Sequence, residues 1–278
     1  MLLLKPKSEL SYSSFTGTFS VSENSKPTYV FAPPVATRFK KLRPRLHRGH
    51  ERPHFRDAKR CSWNRTGGDY GRTEYAYYKM ATQAGIVMSP SRLLEENDRA
   101  HFMTRRFDRD VIAGMTAKYH SQTLCAMAHL DYKQRGTHAY SQLFMTISEL
   151  KLGDEALQQA FLRMTFNVMT RNYDDHTKNF SFLRKQDQGW ELAPAYDVTH
   201  AHNPRGEWTY QHLMSVNGKF DGIARADLFA EADRFSVPKA EELIVDVRSA
   251  IENWPDHAQS AGLHEDKAQE LHRDFLLL

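Results

Sequence analysis

The sequence predicts an α+β chain that is mainly helical, with a small residual β portion. Residues 154–171 place Leu157, Phe161, Met164 and Val168 along one apolar stripe at helical spacing, after a break at Lys151-Leu152-Gly153. Residues 180–184 (FSFLR) and 190–193 (WELA) are short, largely apolar runs around the polar turn Lys185-Gln186-Asp187-Gln188-Gly189, which ends in glycine as hairpin loops often do. A core is affordable, because 40% of the 278 residues are hydrophobic and 12% aromatic, enough for one large or two small domains.

In chain order, Met1 to Lys7 holds only the three leucines after Met1 before a charge, too few for a signal peptide, and no run reaches membrane-spanning length. A cytoplasmic chain with no membrane contact is expected. Residues 1–69 read as a basic N-terminal segment, disordered or degenerate, and 70–278 as the folded domain. Within that segment, 38–60 set ten Lys and Arg against two acids, so this stretch alone outweighs the whole chain's net charge of +4. Residues 35–60 have neither helical nor strand period, and high charge with few aliphatics is the signature of a disordered tail. Such a run could bind nucleic acid through phosphate contacts. His47, His50 and His54 within it read as solvated rather than metal-binding. Two distant thiols, Cys61 and Cys125, argue against a disulfide framework or a cysteine zinc site, and Cys125 reads as a helix residue.

Helices are expected over 118–130, 139–152 and 154–171. Two more follow at 239–254, with Leu243, Val247 and Ile251 inward, and at 259–276. Strands are expected only within 86–107 and in the hairpin.

The chemistry concentrates in Arg171-Asn172-Tyr173-Asp174-Asp175-His176-Thr177-Lys178-Asn179-Phe180-Ser181 and, beyond the hairpin, Ala195-Tyr196-Asp197-Val198. An acid, an amide five residues on and a second acid past a hairpin are the spacing with which kinases hold a hydroxyl nucleophile and the magnesium of ATP. If the hairpin arms pair antiparallel, their outer ends return to roughly 5 Å, which brings Asn179 near Asp197. Two hard oxygen ligands at one point suit magnesium. Asp174, on the loop just before, would face the same point and could accept a proton from an attacking hydroxyl. The blander alternative has Asp174 and Asp175 end the helix and Asp197 cap a turn. The hairpin and the second acid count against it. His176 could orient the loop by hydrogen bonding or simply pack within it.

Asn172-x-Asp174-x-His176-x-Lys178-Asn179-Phe180-Ser181 followed by Pro194-Ala195-Tyr196-Asp197-Val198 resembles the core signature of the HipA family, bacterial serine/threonine kinases that are the toxin halves of type II toxin–antitoxin pairs. Phe102-Met103-Thr104-Arg105-Arg106-Phe107-Asp108-Arg109 resembles its strand and adenine hinge, and the helix from Glu74 resembles the one before it. The similarity runs from about Tyr70 to Leu278. It implies a protein-kinase-like C-terminal lobe with Asp174 as catalytic aspartate, His176 and Lys178 beside it on the catalytic loop, and Asn179 and Asp197 as metal ligands. Arg105, Arg106 and Phe107 become the nucleotide hinge, and Glu74 the glutamate that pairs with a phosphate-binding lysine. ATP and Mg2+ are the implied cofactors. The implied partners are a protein substrate such as an aminoacyl-tRNA synthetase and a helix-turn-helix antitoxin.

Upstream, the pattern departs from that family. A glycine-rich phosphate loop and a strand lysine are needed before Glu74, because backbone N–H groups and an ammonium neutralise the phosphates. Lys59 sits in a polar, basic setting, and Gly67-Gly68-Asp69-Tyr70-Gly71 abuts the helix, where it reads as a flexible approach. The basic segment thus stands where the family has its N-terminal lobe. Two readings stay open: an ATP-dependent kinase of HipA type, weak or inactive in this copy, and a non-catalytic lobe that serves as a binding module for an antitoxin-like partner.

Overall fold

The computed structural model describes residues 29–31, 69–96, 99–112 and 115–278, and in them a small sheet layer lies against a larger helical body. The basic tract 35–60, with Lys59, lies outside the described residues. β1 (Tyr29–Phe31) precedes helix α1 (Tyr70–Gln83), and β2 (Ser91–Glu96) and β3 (Arg99–Arg105) complete an antiparallel sheet in the order β1-β3-β2. α1 lies on this sheet so closely that a Cβ on Gly71 would come 2.2 Å from the carbonyl oxygen of Ala100. Gly71 is therefore a packing position inside the helix, not part of a flexible approach.

The chain then forms a hairpin, β4 (Arg109–Ile112) with β5 (Met115–Lys118), and strand β6 (His120–Thr123). The helix expected over 118–130 is corrected to β6 plus one turn, α2 (Leu124–Met127). Pairing of Thr123 with Ser181 and Gln122 with Phe182 claims those backbone groups for a sheet, and the Thr123 hydroxyl accepts from the Ala126 N–H to start the turn. After β7 (His138–Ala139) come α3 (Tyr140–Glu149) and α4 (Asp154–Met169), separated where expected by left-handed Lys151 and Gly153. α4 begins with Asp154 and Glu155, acids that complement the helix dipole. Every residue from 160 to 170 is buried, whereas Leu157 is only partly so. From residue 160 onward α4 is thus buried on all sides, packed against α3, α5 (Arg225–Phe235) and α6 (Ala240–Glu252), rather than showing a single inward stripe.

The hairpin β8 (Ser181–Arg184) and β9 (Trp190–Leu192) forms as expected and adds to β6 in the order β6-β8-β9. β10 (Met214–Ser215) pairs in parallel with β7. Strands therefore extend beyond 86–107 and the hairpin, because segments of two to four residues are too short to carry an alternating pattern. α6 buries Leu243, Val247 and Ile251 as expected. The single helix expected over 259–276 is instead α7 (Trp254–Ser260) and α8 (Glu265–Asp274), divided by Gly262 at a φ of 66°. Among the described residues no helix is long and apolar enough to cross a membrane.

Candidate active site

The end of α4 is fixed from two directions. The Tyr77 hydroxyl of α1 donates to the carbonyl of Thr170 (2.6 Å), and the N–H of Leu276 donates to that of Met169 (2.8 Å). Both are helix-terminal carbonyls that would otherwise lack a partner. Arg171 then takes a left-handed φ of 58° and turns the chain into the loop 172–180. A buried chain of hydrogen bonds holds that loop. Asn172 Nδ2 donates to Asn167 Oδ1 (2.9 Å), Asn167 Nδ2 to Tyr140 Oη (2.9 Å), and Tyr140 Oη to Asp175 Oδ2 (2.8 Å). Asp175 also accepts from the Leu213 N–H (2.7 Å) and lies 2.8 Å from His212 Nδ1. Its carboxylate is consumed internally. Asp175 is thus an anchor, whereas the Asp174 carboxylate is not claimed in this way and its charge acts on Asp197.

Asn179 Nδ2 donates to the backbone carbonyl of Asp174 (2.7 Å), closing the loop over five residues. That bond leaves the amide oxygen as the free hard donor. Asp197, at a φ of 59°, lines the same cavity as Asn179. The backbone N–H of Ala195 donates to Val87 (2.8 Å), which ties the strand leading to Asp197 to the connection after α1. Gln159 of α4 clamps that connection, accepting from Val87 N–H and donating to Gly85.

Three acids face one another here. Burial, and then the charge of Asp174, push the Asp197 carboxyl up to about 6. Burial, and then the Asp197 charge, hold Glu74 well above the usual carboxylate range. Asp174 is likewise raised by burial, a shift opposed by His176 and reinforced by Asp175. Glu74 is buried, and its Oε1 has no hydrogen-bond partner. Desolvated carboxylates at one point raise each other's pKa until a cation joins them. The donor set, the Asp197 carboxylate and the Asn179 amide oxygen lining one desolvated cavity, fits Mg2+.

The other expected site residues fall around this centre. His176 Nε2 is 3.8 Å from Asp174 Oδ1, and its ring packs on Tyr132 at 5.7 Å. Lys178 directs its ammonium over the same Tyr132 ring, 3.9 Å from the centroid. Phe107 packs on Tyr196 at 5.6 Å, which sets the end of the β3 segment beside the loop bearing Asp197. Arg105 pairs with Asp110 (2.9 Å) and Arg106 with Asp108, so both guanidinium groups brace the turn itself. The Asp108 carboxyl, partly desolvated, is nonetheless held down at about 2 by Arg106 and Arg109.

Two features escaped the sequence reading. Arg163 of α4 lines the cavity with Asn172, Asn179, Tyr196 and Asp197; it is 5% exposed, and its Nε has no hydrogen-bond partner. Burial pushes its guanidinium down to about 10. A charge inside Phe161-Leu162-Arg163-Met164 was the available signal. The Asp175–His212 anchor had none, because 37 residues separate the partners.

A model of the HipA-like C-terminal domain matches residues 49–255. The candidate kinase Y4mE of Sinorhizobium fredii (strain NBRC 101917 / NGR234) is 28% identical over 134 residues, covering 43% of this chain and 30% of that protein. Among solved structures, the chain is similar to one from Shewanella oneidensis MR-1, a toxin–antitoxin complex of HipA, HipB and operator DNA, with a TM-score of 0.57 and 21% identity over 72% of this chain and 52% of that one. The proinflammatory kinase CtkA of Helicobacter pylori gives a TM-score of 0.48 at 14% identity, over 73% of this chain and 80% of CtkA. The chain thus spans about half the length of the Shewanella chain and under a third of Y4mE.

Proposed function

This chain belongs to the family of HipA-like C-terminal domains, and from that premise we propose that it carries the catalytic lobe of an ATP-dependent serine/threonine protein kinase of HipA type. The observation that carries the reading is the desolvated cavity that Asn179 and Asp197 line together, with the Asp174 charge acting on Asp197 and the Asp174 carbonyl bonded to Asn179. Asn179 Oδ1 and Asp197 would hold Mg2+, whose chemistry is to neutralise charge on the phosphates during transfer. Asp174 takes the proton of the substrate hydroxyl as its oxygen bonds to the γ-phosphorus and ADP departs with the bridging oxygen. His176 lies beside it, with Nε2 3.8 Å from Asp174 Oδ1. Arg163, whose buried Nε has no hydrogen-bond partner, puts a positive charge in the cavity wall, which suits an anionic ligand. The substrate we propose is a protein hydroxyl on a component of the translation machinery such as an aminoacyl-tRNA synthetase, and the binding partner a helix-turn-helix antitoxin.

The test is phosphotransfer from radiolabelled ATP to protein, including the chain itself. Asp174→Ala should abolish it while circular dichroism stays native, since a loop acid contributes little to the fold. Parent-level transfer by that variant would remove Asp174 from the role. One observation favours a second reading, a non-catalytic lobe that binds an antitoxin-like partner: Glu74 meets no cation among the described residues. Binding of such a partner with no measurable affinity for Mg2+-ATP would favour it.

A further inference from the structure

His200, His202 and Asp274 bring three ligand-type side chains together away from the cleft. His200 and His202 belong to the segment that follows Asp197, and Asp274 is the last residue of α8. His200 Nε2 lies 3.0 Å from Asp274 Oδ2, and His202 Nδ1 lies 3.6 Å from the same oxygen. All three ligand atoms fall within 4.8 Å of one another. The two imidazoles are largely buried, while Asp274 is 43% exposed and leaves an approach from solvent.

We propose that His200, His202 and Asp274 form a three-ligand site for a divalent transition ion of the Zn2+ class, which staples the segment after Asp197 to the C-terminal helix. Bonds of about 2.0–2.2 Å in a tetrahedral shell put neighbouring ligand atoms about 3.3 Å apart. The separations of 3.0 and 3.6 Å bracket that edge, and the remaining one, between the two histidines, is within 4.8 Å. Two imidazoles and one carboxylate suit Zn2+ better than Mg2+, which prefers oxygen alone. Water completes the shell through the exposed side.

The surrounding contacts give the ion a consequence. Arg171 Nε donates to the Asp274 carbonyl (2.9 Å), and the Arg171 carbonyl accepts from Ala201 N–H (3.1 Å). The His202 ring packs on Tyr173 at 4.9 Å. One ion would therefore join α8, the segment after Asp197 and the start of the loop bearing Asp174. Occupancy stiffens the positions of both acids without touching the cleft.

The experiment titrates the metal-stripped full chain with Zn2+ against a chromophoric chelator, in buffer containing excess Mg2+, alongside His202→Asn and Asp274→Asn. Histidines elsewhere in the chain make the parent's stoichiometry insufficient, so the variants decide. The parent should bind one Zn2+ that each variant holds at least about tenfold more weakly, with thermal stabilisation by Zn2+ lost in both variants. In the parent, Co2+ should give the intense visible absorption of a four-coordinate ion, a readout independent of how the variants fold. Undiminished Zn2+ binding in His202→Asn, no Zn2+ binding by the parent, or a weak six-coordinate Co2+ spectrum would each overturn the assignment.

Discussion

At the scale of single residues, the cleft shows stability given up for a site. Asp197 holds a left-handed backbone, and its carboxyl sits at about 6 instead of 3.8 because it is buried beside Asp174. A folded-state pKa above the unfolded one means that stability is fullest below about pH 3.8 and is lost as pH rises through about 6. At pH 8 the metal-free protein carries the whole deficit. Asp197→Asn should therefore raise the urea midpoint at pH 8 by an equivalent of about 1–3 kcal/mol, with the gain vanishing below about pH 4. The same variant should lose Mg2+-dependent stabilisation. No gain at pH 8 would mean that the carboxylate already has a counter-charge.

At the scale of elements, the sheet layer and the helical body are joined by close backbone approach as much as by side chains. Gly71 illustrates this, because α1 runs against the Ala100 carbonyl of β3. An alanine inside a helix normally gains about 0.5–1 kcal/mol over glycine. Here the added Cβ meets a backbone oxygen that cannot swing aside, so Gly71→Ala should instead cost about 1–3 kcal/mol in urea unfolding. It should also shift Glu74, three residues on in the same helix. A stabilised Gly71→Ala would show that α1 can slide on the sheet. The helix-to-strand correction at 118–123 belongs to this scale too: β6 exists because β8 is beside it, and no local propensity announces a neighbour 58–64 residues away.

At the scale of the whole molecule, the proposed nucleotide site lacks, among the described residues, a lysine beside Glu74. The end of β3 meets the loop bearing Asp197 through Phe107 and Tyr196, which is where the proposed hinge would hold an adenine ring. Glu74 meets no lysine among the described residues, and the sequence before it offers none in a strand-like setting. Neutralising phosphate charge contributes orders of magnitude in rate to phosphoryl transfer. The chain alone should therefore bind Mg2+-ATP weakly by calorimetry and phosphorylate slowly or not at all. A turnover of about 1–100 per second, ordinary for kinases, would show that another group supplies the charge.

The sequence alone was enough to determine the mainly helical α+β class, the family resemblance and the hairpin that draws Asn179 toward Asp197. These depend on short-range information: helical periodicity in 154–171, a glycine-ended turn at 185–189, and residue types at set spacings. Only the tertiary structure decided which of two adjacent acids is tied up in internal hydrogen bonds, since Asp175 is claimed by Tyr140, His212 and Leu213, partners that lie 35 to 38 residues away. Tertiary structure likewise made Arg163 part of a cavity wall and brought His200 and His202 to Asp274 across more than 70 residues. The physical reason is common to all three. Periodicity and turn chemistry record what a residue does to its own backbone, whereas desolvation and charge pairing depend on what the folded chain places beside it.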